Sequence, residues 1–232
     1  MQKKDLSQFE NKIDVNFKNK ELLARAFTHR SYLNEHPEID IKHNERLEFL
    51  GDAVLELAVT DFLFSTYPER PEGELTAIRA ALVNTLSISA AAKKLEADKF
   101  LRLSKGEAKD TGRGRRFILA NTYEAIIGAI YLDQGYGTSA TFISNTLLNN
   151  VDDIVEHESW RDAKSVFQEQ AQKHVSITPT YEILYEKGPD HDKEFTVGVF
   201  LDTEQIASGA GKSKQEAESV AAEAALKVKG WE

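Results

Sequence analysis

Residues 44 to 64 read Asn-Glu-Arg-Leu-Glu-Phe-Leu-Gly-Asp-Ala-Val-Leu-Glu-Leu-Ala-Val-Thr-Asp-Phe-Leu-Phe. Leucine, valine and alanine recur at helical spacing, no proline interrupts, and Pro68 and Pro71 close the far side. The stretch is expected to form one long helix. Its acidic residues are not scattered. Glu45, Glu48, Asp52 and Glu56 stand at i, i+3, i+7 and i+11, which places them within a stripe of roughly 80°. Carboxylates on one stripe repel each other, and the stripe itself holds no lysine or arginine. A solvated helix face explains such a pattern, and so does a cation site.

A second stretch bears on that choice. Ile118 to Leu132 is apolar almost all round, the mark of a buried helix. Glu124 lies inside it, with Asn121 one turn earlier on the same face. A buried carboxylate is costly unless it is paired, protonated or metal-bound. Glu48 and Asp52 facing Asn121 and Glu124 would offer oxygen ligands only, the set that magnesium takes.

Outward from these two helices, residues 1 to 150 read as helical throughout. Glu21 to Phe27 is a short amphipathic piece, and Thr76 to Leu95 is expected as one alanine-rich helix. Lys105 to Arg116 carries three glycines with Lys105, Lys109, Arg113, Arg115 and Arg116, and reads as a basic loop leading into the Glu124 helix. Charge runs are usually no more than solvated. Residues 151 to 160 are acidic and polar, and read as a helix end and linker.

From 161 to 230 the texture changes. Asp162 to His174 is helical. Tyr181 to Tyr185, Glu194 to Leu201 and Gln205 to Ala210 read as three strands, with a turn at Gly188-Pro189-Asp190. Ser213 to Val228 is a final helix, opened by Ser213-Lys214-Gln215-Glu216 in capping-box spacing. The fold class expected is an all-α domain followed by a small α+β domain of order α-β-β-β-α.

Composition limits the chemistry. The 232 residues contain no cysteine, so disulfides, thiolate zinc sites and a cysteine nucleophile are excluded. No apolar run approaches the roughly 18 residues of a membrane helix, and no signal-peptide pattern opens the chain. These features fit a cytoplasmic protein. The net charge of −9 argues against a general nucleic-acid binder, so a polyanion partner has to be met by local patches.

The motifs overcome that prior. His43-Asn44-Glu45-Arg46-Leu47-Glu48-Phe49-Leu50-Gly51-Asp52 resembles the signature of the ribonuclease III family. Thr28-His29-Arg30-Ser31, Pro71-Glu72-Gly73-Glu74-Leu75 and Ile118 to Ala125 resemble further blocks of that family, in the expected order. The C-terminal unit, with Phe195 and Gly211 to Glu218, resembles a double-stranded-RNA-binding domain. The resemblance implies a double-strand-specific endoribonuclease that leaves 5′-phosphate and 3′-hydroxyl ends, acting in RNA processing such as that of ribosomal RNA precursors. It implies magnesium as cofactor, with manganese as a substitute, no small-molecule cofactor, no membrane, and a homodimer with one cutting site per strand.

Carried over position by position, the resemblance makes Glu48, Asp52 and Glu124 metal-binding carboxylates, with Asp52 and Glu124 closest to the chemistry. It makes Glu45 and Glu72 acidic flanks of the active valley, although a structural charge explains them nearly as well. Asn121 departs from the pattern, since aspartate is common there. It is read as a fourth ligand through its amide oxygen, or as a change that leaves a chain able to bind duplex RNA but not to cut it. On the RNA-binding side the resemblance points to Ser165, Gln168 and Gln172 on one helix face, to His191 beside Pro189, and to Lys212 and Lys214 at the last helix start. A duplex of A form is read through 2′-hydroxyls and phosphates across the minor groove, which suits these residue types. Arg115 and Arg116 are expected to guide phosphates toward the valley.

Overall fold

A computed structural model describes residues 5–156, 162–189 and 193–231. The chain divides into two compact units, residues 1–160 and 161–232. The first is helical and the second has the order α-β-β-β-α, so the expected fold class is the one observed.

In the first unit the helices are α1 Ser7–Ile13, α2 Lys20–Ala26, α3 Arg30–Glu35, α4 Glu45–Thr66, α5 Glu72–Leu82, α6 Thr85–Lys94, α7 Arg113–Gln134, α8 Tyr136–Thr146 and α9 Val151–Glu156. Its centre is the α4–α7 pair, each of 22 residues. Leu47, Leu55, Val59 and Leu63 of α4 and Tyr123, Ile126, Ile127 and Ile130 of α7 are all buried. Each such aliphatic side chain contributes roughly 1.5–3 kcal/mol by leaving water, so this seam holds the two helices in one register. Tyr123 satisfies its hydroxyl against Thr146 Oγ1 at 2.6 Å. At one end of the core Phe9 meets Phe27 edge to face at 4.8 Å, with Phe100 alongside.

Two expectations about this unit are corrected. Thr76 to Leu95 is two helices rather than one, broken at Val83-Asn84. Asn84 starts the second by accepting a hydrogen bond from the Ser87 N–H at 3.0 Å, and cap geometry of this kind interrupts a helix. The basic loop ends earlier than expected, because Arg113, Arg115 and Arg116 already belong to the first turn of α7. No single helix among the described residues is long and apolar enough to cross a membrane.

In the second unit, α10 (Ala163–Val175) and α11 (Lys214–Lys229) cover a three-stranded antiparallel sheet of order β1-β2-β3, formed by Thr180–Lys187, Glu194–Leu201 and Glu204–Gly211. Phe167, Ala171, Val199, Leu201, Ile206, Ala221, Ala222, Ala225 and Leu226 form its core. The alanines of α11 let that helix lie close to the sheet. Its start is capped as expected by Ser213, whose Oγ accepts from the Glu216 N–H at 3.2 Å, while Glu216 reaches back past the cap residue to accept from the Lys212 N–H at 2.7 Å.

Candidate active site

The acidic residues of α4 and α7 meet because the two backbones touch. A methyl group added at Gly51 would lie 1.8 Å from the Glu124 carbonyl oxygen, and one at Gly128 would lie 2.2 Å from the Leu47 carbonyl oxygen. Only glycine permits this approach. Glu48 and Asp52 flank Gly51, and Glu124 is the residue against which Gly51 packs, so the crossing sets these carboxylates toward each other.

Two of them, Glu124 and Glu48, are shifted upward. Burial, reinforced by the charges of Asp52 and Glu48, pushes the Glu124 carboxyl up to about 8. Glu48 is also raised, first by burial and then by Glu45, with Asp52 adding to it; a hydrogen bond from the Asn121 side chain works in the opposite direction. Among the described residues no ion pair joins a basic side chain to Glu48, Asp52 or Glu124. Nor do three carboxylates or histidines gather closely enough among them to form a finished cation cage. Mutual repulsion opposes closer approach of like charges. The donor set is all oxygen and short of positive charge, with Glu48, Asn121 and Glu124 half-buried and Asp52 exposed, and in its chemistry it fits a hard divalent cation.

The remaining acidic residues of the stripe are neutralised from outside it. Glu56 pairs with Arg79 of α5 at 3.1 Å, and Arg79 also donates to Thr60 Oγ1 at 2.9 Å. Glu45 is exposed and lies 3.4 Å from Arg30 and 3.7 Å from His43. Glu72 is placed elsewhere: it opens α5, accepts from the Thr76 hydroxyl at 3.0 Å, and lines a cavity of about 380 Å³ with Thr60, Phe64, Leu75 and Arg79. Within one chain it is not gathered with Glu48 and Glu124.

Arg115 and Arg116 line a cavity of about 530 Å³ between α6 and the start of α7, together with Ser89, Lys93, Asp98 and Asp110. Arg115 Nη1 is buried there without a hydrogen-bond partner among the described residues. Sequence reading missed Lys93, since only the packing of α6 on α7 carries it to this arginine pair.

In the second unit Ser165, Gln168 and Gln172 are all exposed along α10. Ser165 Oγ bonds to Asp162 at 3.1 Å, and Gln172 donates to Thr178 at 2.8 Å. Lys212 and Lys214 are exposed at the start of α11, with the Lys214 ammonium 5.9 Å from the Phe195 ring centre. His191 lies outside the described residues.

Sequence reading also passed over an exposed apolar stripe on α4. Phe49, Leu57 and Phe64 are 83%, 57% and 72% exposed, and they stand on the side of α4 next to the acidic residues. Its signal was present in the sequence, as large apolar residues on both sides of the helix.

Known proteins share both units. Residues 19–151 match the model of a ribonuclease-III-like family, and residues 163–229 match that of a double-stranded RNA binding motif. The chain is 46% identical to ribonuclease 3 of Carboxydothermus hydrogenoformans over 228 residues, covering 98% of this chain and 97% of that one. It is 45% identical to ribonuclease 3 of Natranaerobius thermophilus over 219 residues, or 94% of each chain. The first unit resembles a solved nuclease domain of ribonuclease III from Campylobacter jejuni, described with a region involved in dimer formation. That match has a TM-score of 0.55 at 38% identity, and covers 61% of this chain and 98% of that one.

Proposed function

The chain belongs to the ribonuclease III family and is an endoribonuclease of double-stranded RNA; from that premise we propose that it cuts as a magnesium-dependent homodimer whose ion is held by Glu48, Asp52, Asn121 and Glu124. The observation that carries the metal assignment is the acidic group at the Gly51 crossing, where Glu124 is raised to about 8 by burial and by its neighbours. A divalent ion bound there supplies Lewis acidity, lowers the pKa of an attacking water and stabilises the leaving oxygen.

The chain's own residues do the rest. Glu124 and Asp52 contribute the charges nearest the chemistry. Asn121 would offer its amide oxygen to the ion, since hard cations accept amide oxygens. The hydrolysis breaks the bond between phosphorus and the 3′ oxygen. That oxygen leaves as a hydroxyl and the water oxygen stays on the phosphate, giving 5′-phosphate and 3′-hydroxyl ends. Glu45 sits one turn before Glu48 and adds negative charge at the mouth of the site, while its pairing with Arg30 moderates it.

Duplex RNA is held by the second unit through Ser165, Gln168, Gln172 and His191 in minor grooves, and by Lys212 and Lys214 on phosphates. Arg115, Arg116 and Lys93 form a basic patch for the backbone on the first unit. The dimer is supported by the exposed Phe49, Leu57 and Phe64 stripe and by the apolar cavity beside Phe64, which a second copy would cover. Cysteine-free composition supports a cytoplasmic setting, where such an enzyme meets structured transcripts.

Glu124→Gln removes a charge at nearly constant shape. It is expected to keep duplex binding and to lose cleavage in a gel assay with magnesium; cutting at a near-normal rate would remove Glu124 from the site. Asn121→Asp, run in parallel across a magnesium and manganese titration, is expected mainly to lower the metal concentration required. If the unsubstituted chain is inert at every concentration while Asn121→Asp cuts, the chain binds duplex RNA without cutting it.

A further inference from the structure

Asn44 begins α4 but does not cap it. Its backbone is already helical, with φ −82° and ψ −13°, so its side chain is not placed to accept from the first turn. It is 2% exposed, and its Nδ2 donates instead to the Ala26 carbonyl at the end of α2, at 3.2 Å. The Asn44 N–H donates to the Thr28 carbonyl at 3.0 Å. Next to it, Arg25 Nε donates to the His43 carbonyl at 3.0 Å. Three bonds therefore hang residues 43 and 44 from residues 25 to 28.

That segment is itself fixed on its other side. The Arg102 N–H donates to the Phe27 carbonyl at 2.8 Å, and the His29 N–H donates to the Arg102 carbonyl at 3.1 Å. Asn44 in turn governs the acidic turn, because the Glu48 N–H donates to its carbonyl at 2.9 Å. The first turn of α4 cannot slide along α7 without breaking the Asn44 bonds.

We propose that Asn44 is a positioning residue for the cation site, its amide anchoring the start of α4 to α2 and so holding Glu48 against Asn121 and Glu124. The inference rests on the metal site proposed above. A role in folding alone would make Asn44 matter for stability and for nothing else. The tie to the acidic turn argues against it, since the residue whose amide bonds to Ala26 also accepts from the Glu48 N–H.

Two variants separate the roles. Asn44→Asp keeps the size but turns an acceptor toward the Ala26 carbonyl. Asn44→Ser is too short to reach that carbonyl. Manganese binding is measured by titration calorimetry on the full chain without RNA, beside thermal melting, for the starting chain, both variants and Glu124→Gln. The expected result is manganese binding weaker by roughly tenfold in both variants, the range found when a partner of a metal ligand is removed. Asn44→Ser loses a buried hydrogen bond and should melt somewhat lower, so binding is read well below that temperature, where the variant is folded; KM for duplex RNA should stay unchanged at saturating manganese. If Asn44→Asp fails to fold, Asn44→Ser decides. Unchanged manganese affinity in Asn44→Ser, with affinity lost in Glu124→Gln, overturns the role of Asn44 and leaves the site standing. No manganese binding by the starting chain overturns the site and this inference together.

Discussion

Three carboxylates show how much a partner changes the cost of burial. Glu10 is 4% exposed, but Lys20 stands 2.6 Å away and the Phe17 N–H donates to it at 2.7 Å. Glu56 has Arg79. Glu124 has no basic partner among the described residues, and has Asp52 and Glu48 beside it, so its carboxyl rises to about 8. The consequence for stability has a definite sign. In the folded, metal-free chain Glu124 keeps its proton where the unfolded chain, near 4.5, has lost it. The folded state therefore binds more protons between those values, and stability falls as pH rises. The stability is present in full below about 4.5 and lost as pH passes through about 8, with Glu48 acting in the same direction. Melting the chelated protein between pH 5 and 9 should show this decline, and Glu124→Gln should reduce it; parallel curves for the two proteins would refute the account. Glu124 was legible in the sequence because a charge inside an apolar helix declares its own cost. The difference between Glu48 and Glu56 was not, because both sit on one stripe and the arginine that neutralises Glu56 comes from another helix. Asn44 was hidden for a similar reason: its position says cap, and only the fold shows its amide turned to α2.

At the scale of elements, periodicity located α4, α7 and α11 well, and the capping box at Ser213 marked its helix start. It failed where helices are divided by caps rather than by proline or glycine. Nothing in the alanine spacing of Thr76 to Leu95 marks the break, and Asn84 is its only local sign. It failed again at Arg113, where glycines and arginines suggested a loop although α7 had already begun. The α4–α7 crossing was legible only in part. Gly51 stands between Glu48 and Asp52 in plain view, but the sequence of one helix does not name the backbone it touches. The crossing can be tested at this residue. A methyl group at Gly51 meets the Glu124 carbonyl oxygen at 1.8 Å and the Gly128 nitrogen at 2.8 Å, and backbone atoms cannot rotate away. Gly51→Ala should cost about 1–3 kcal/mol through overpacking, with the melting temperature falling by roughly 2–4 °C for each kcal/mol. It should also weaken manganese binding, because α4 has to move off α7. A variant that melts as the starting chain does would mean that the helices can separate freely at this point.

At the scale of the whole molecule, two units divide the work, and the proposed second copy is tested on the first of them. The first unit carries the exposed aromatic stripe of α4, and Phe49 is its most exposed large apolar member at 83%. Phe49→Asp should turn a dimer into a monomer by light scattering while circular dichroism stays unchanged; a dimer that persists would move the interface elsewhere. The second unit reconciles duplex binding with a net charge of −9. Long-range repulsion from the rest of the chain is screened beyond about 8 Å at physiological salt, so a few cations aimed at phosphates suffice. Lys212 and Lys214 are exposed at the start of α11, where the helix dipole already favours an anion. Their contribution should be independent of sequence, because phosphates carry none. It should also appear in the salt dependence, since each neutralised phosphate releases counterions. Changing both lysines to alanine should weaken binding to unrelated duplexes by the same factor. It should flatten the slope of log K against log salt by roughly 0.9 for each phosphate no longer neutralised, taking the duplex DNA coefficient. Weakening that differs between duplex sequences while the slope stays constant would show these lysines reading something other than the backbone. The acidic chain would then need its phosphate binding from Lys93, Arg115 and Arg116 on the first unit.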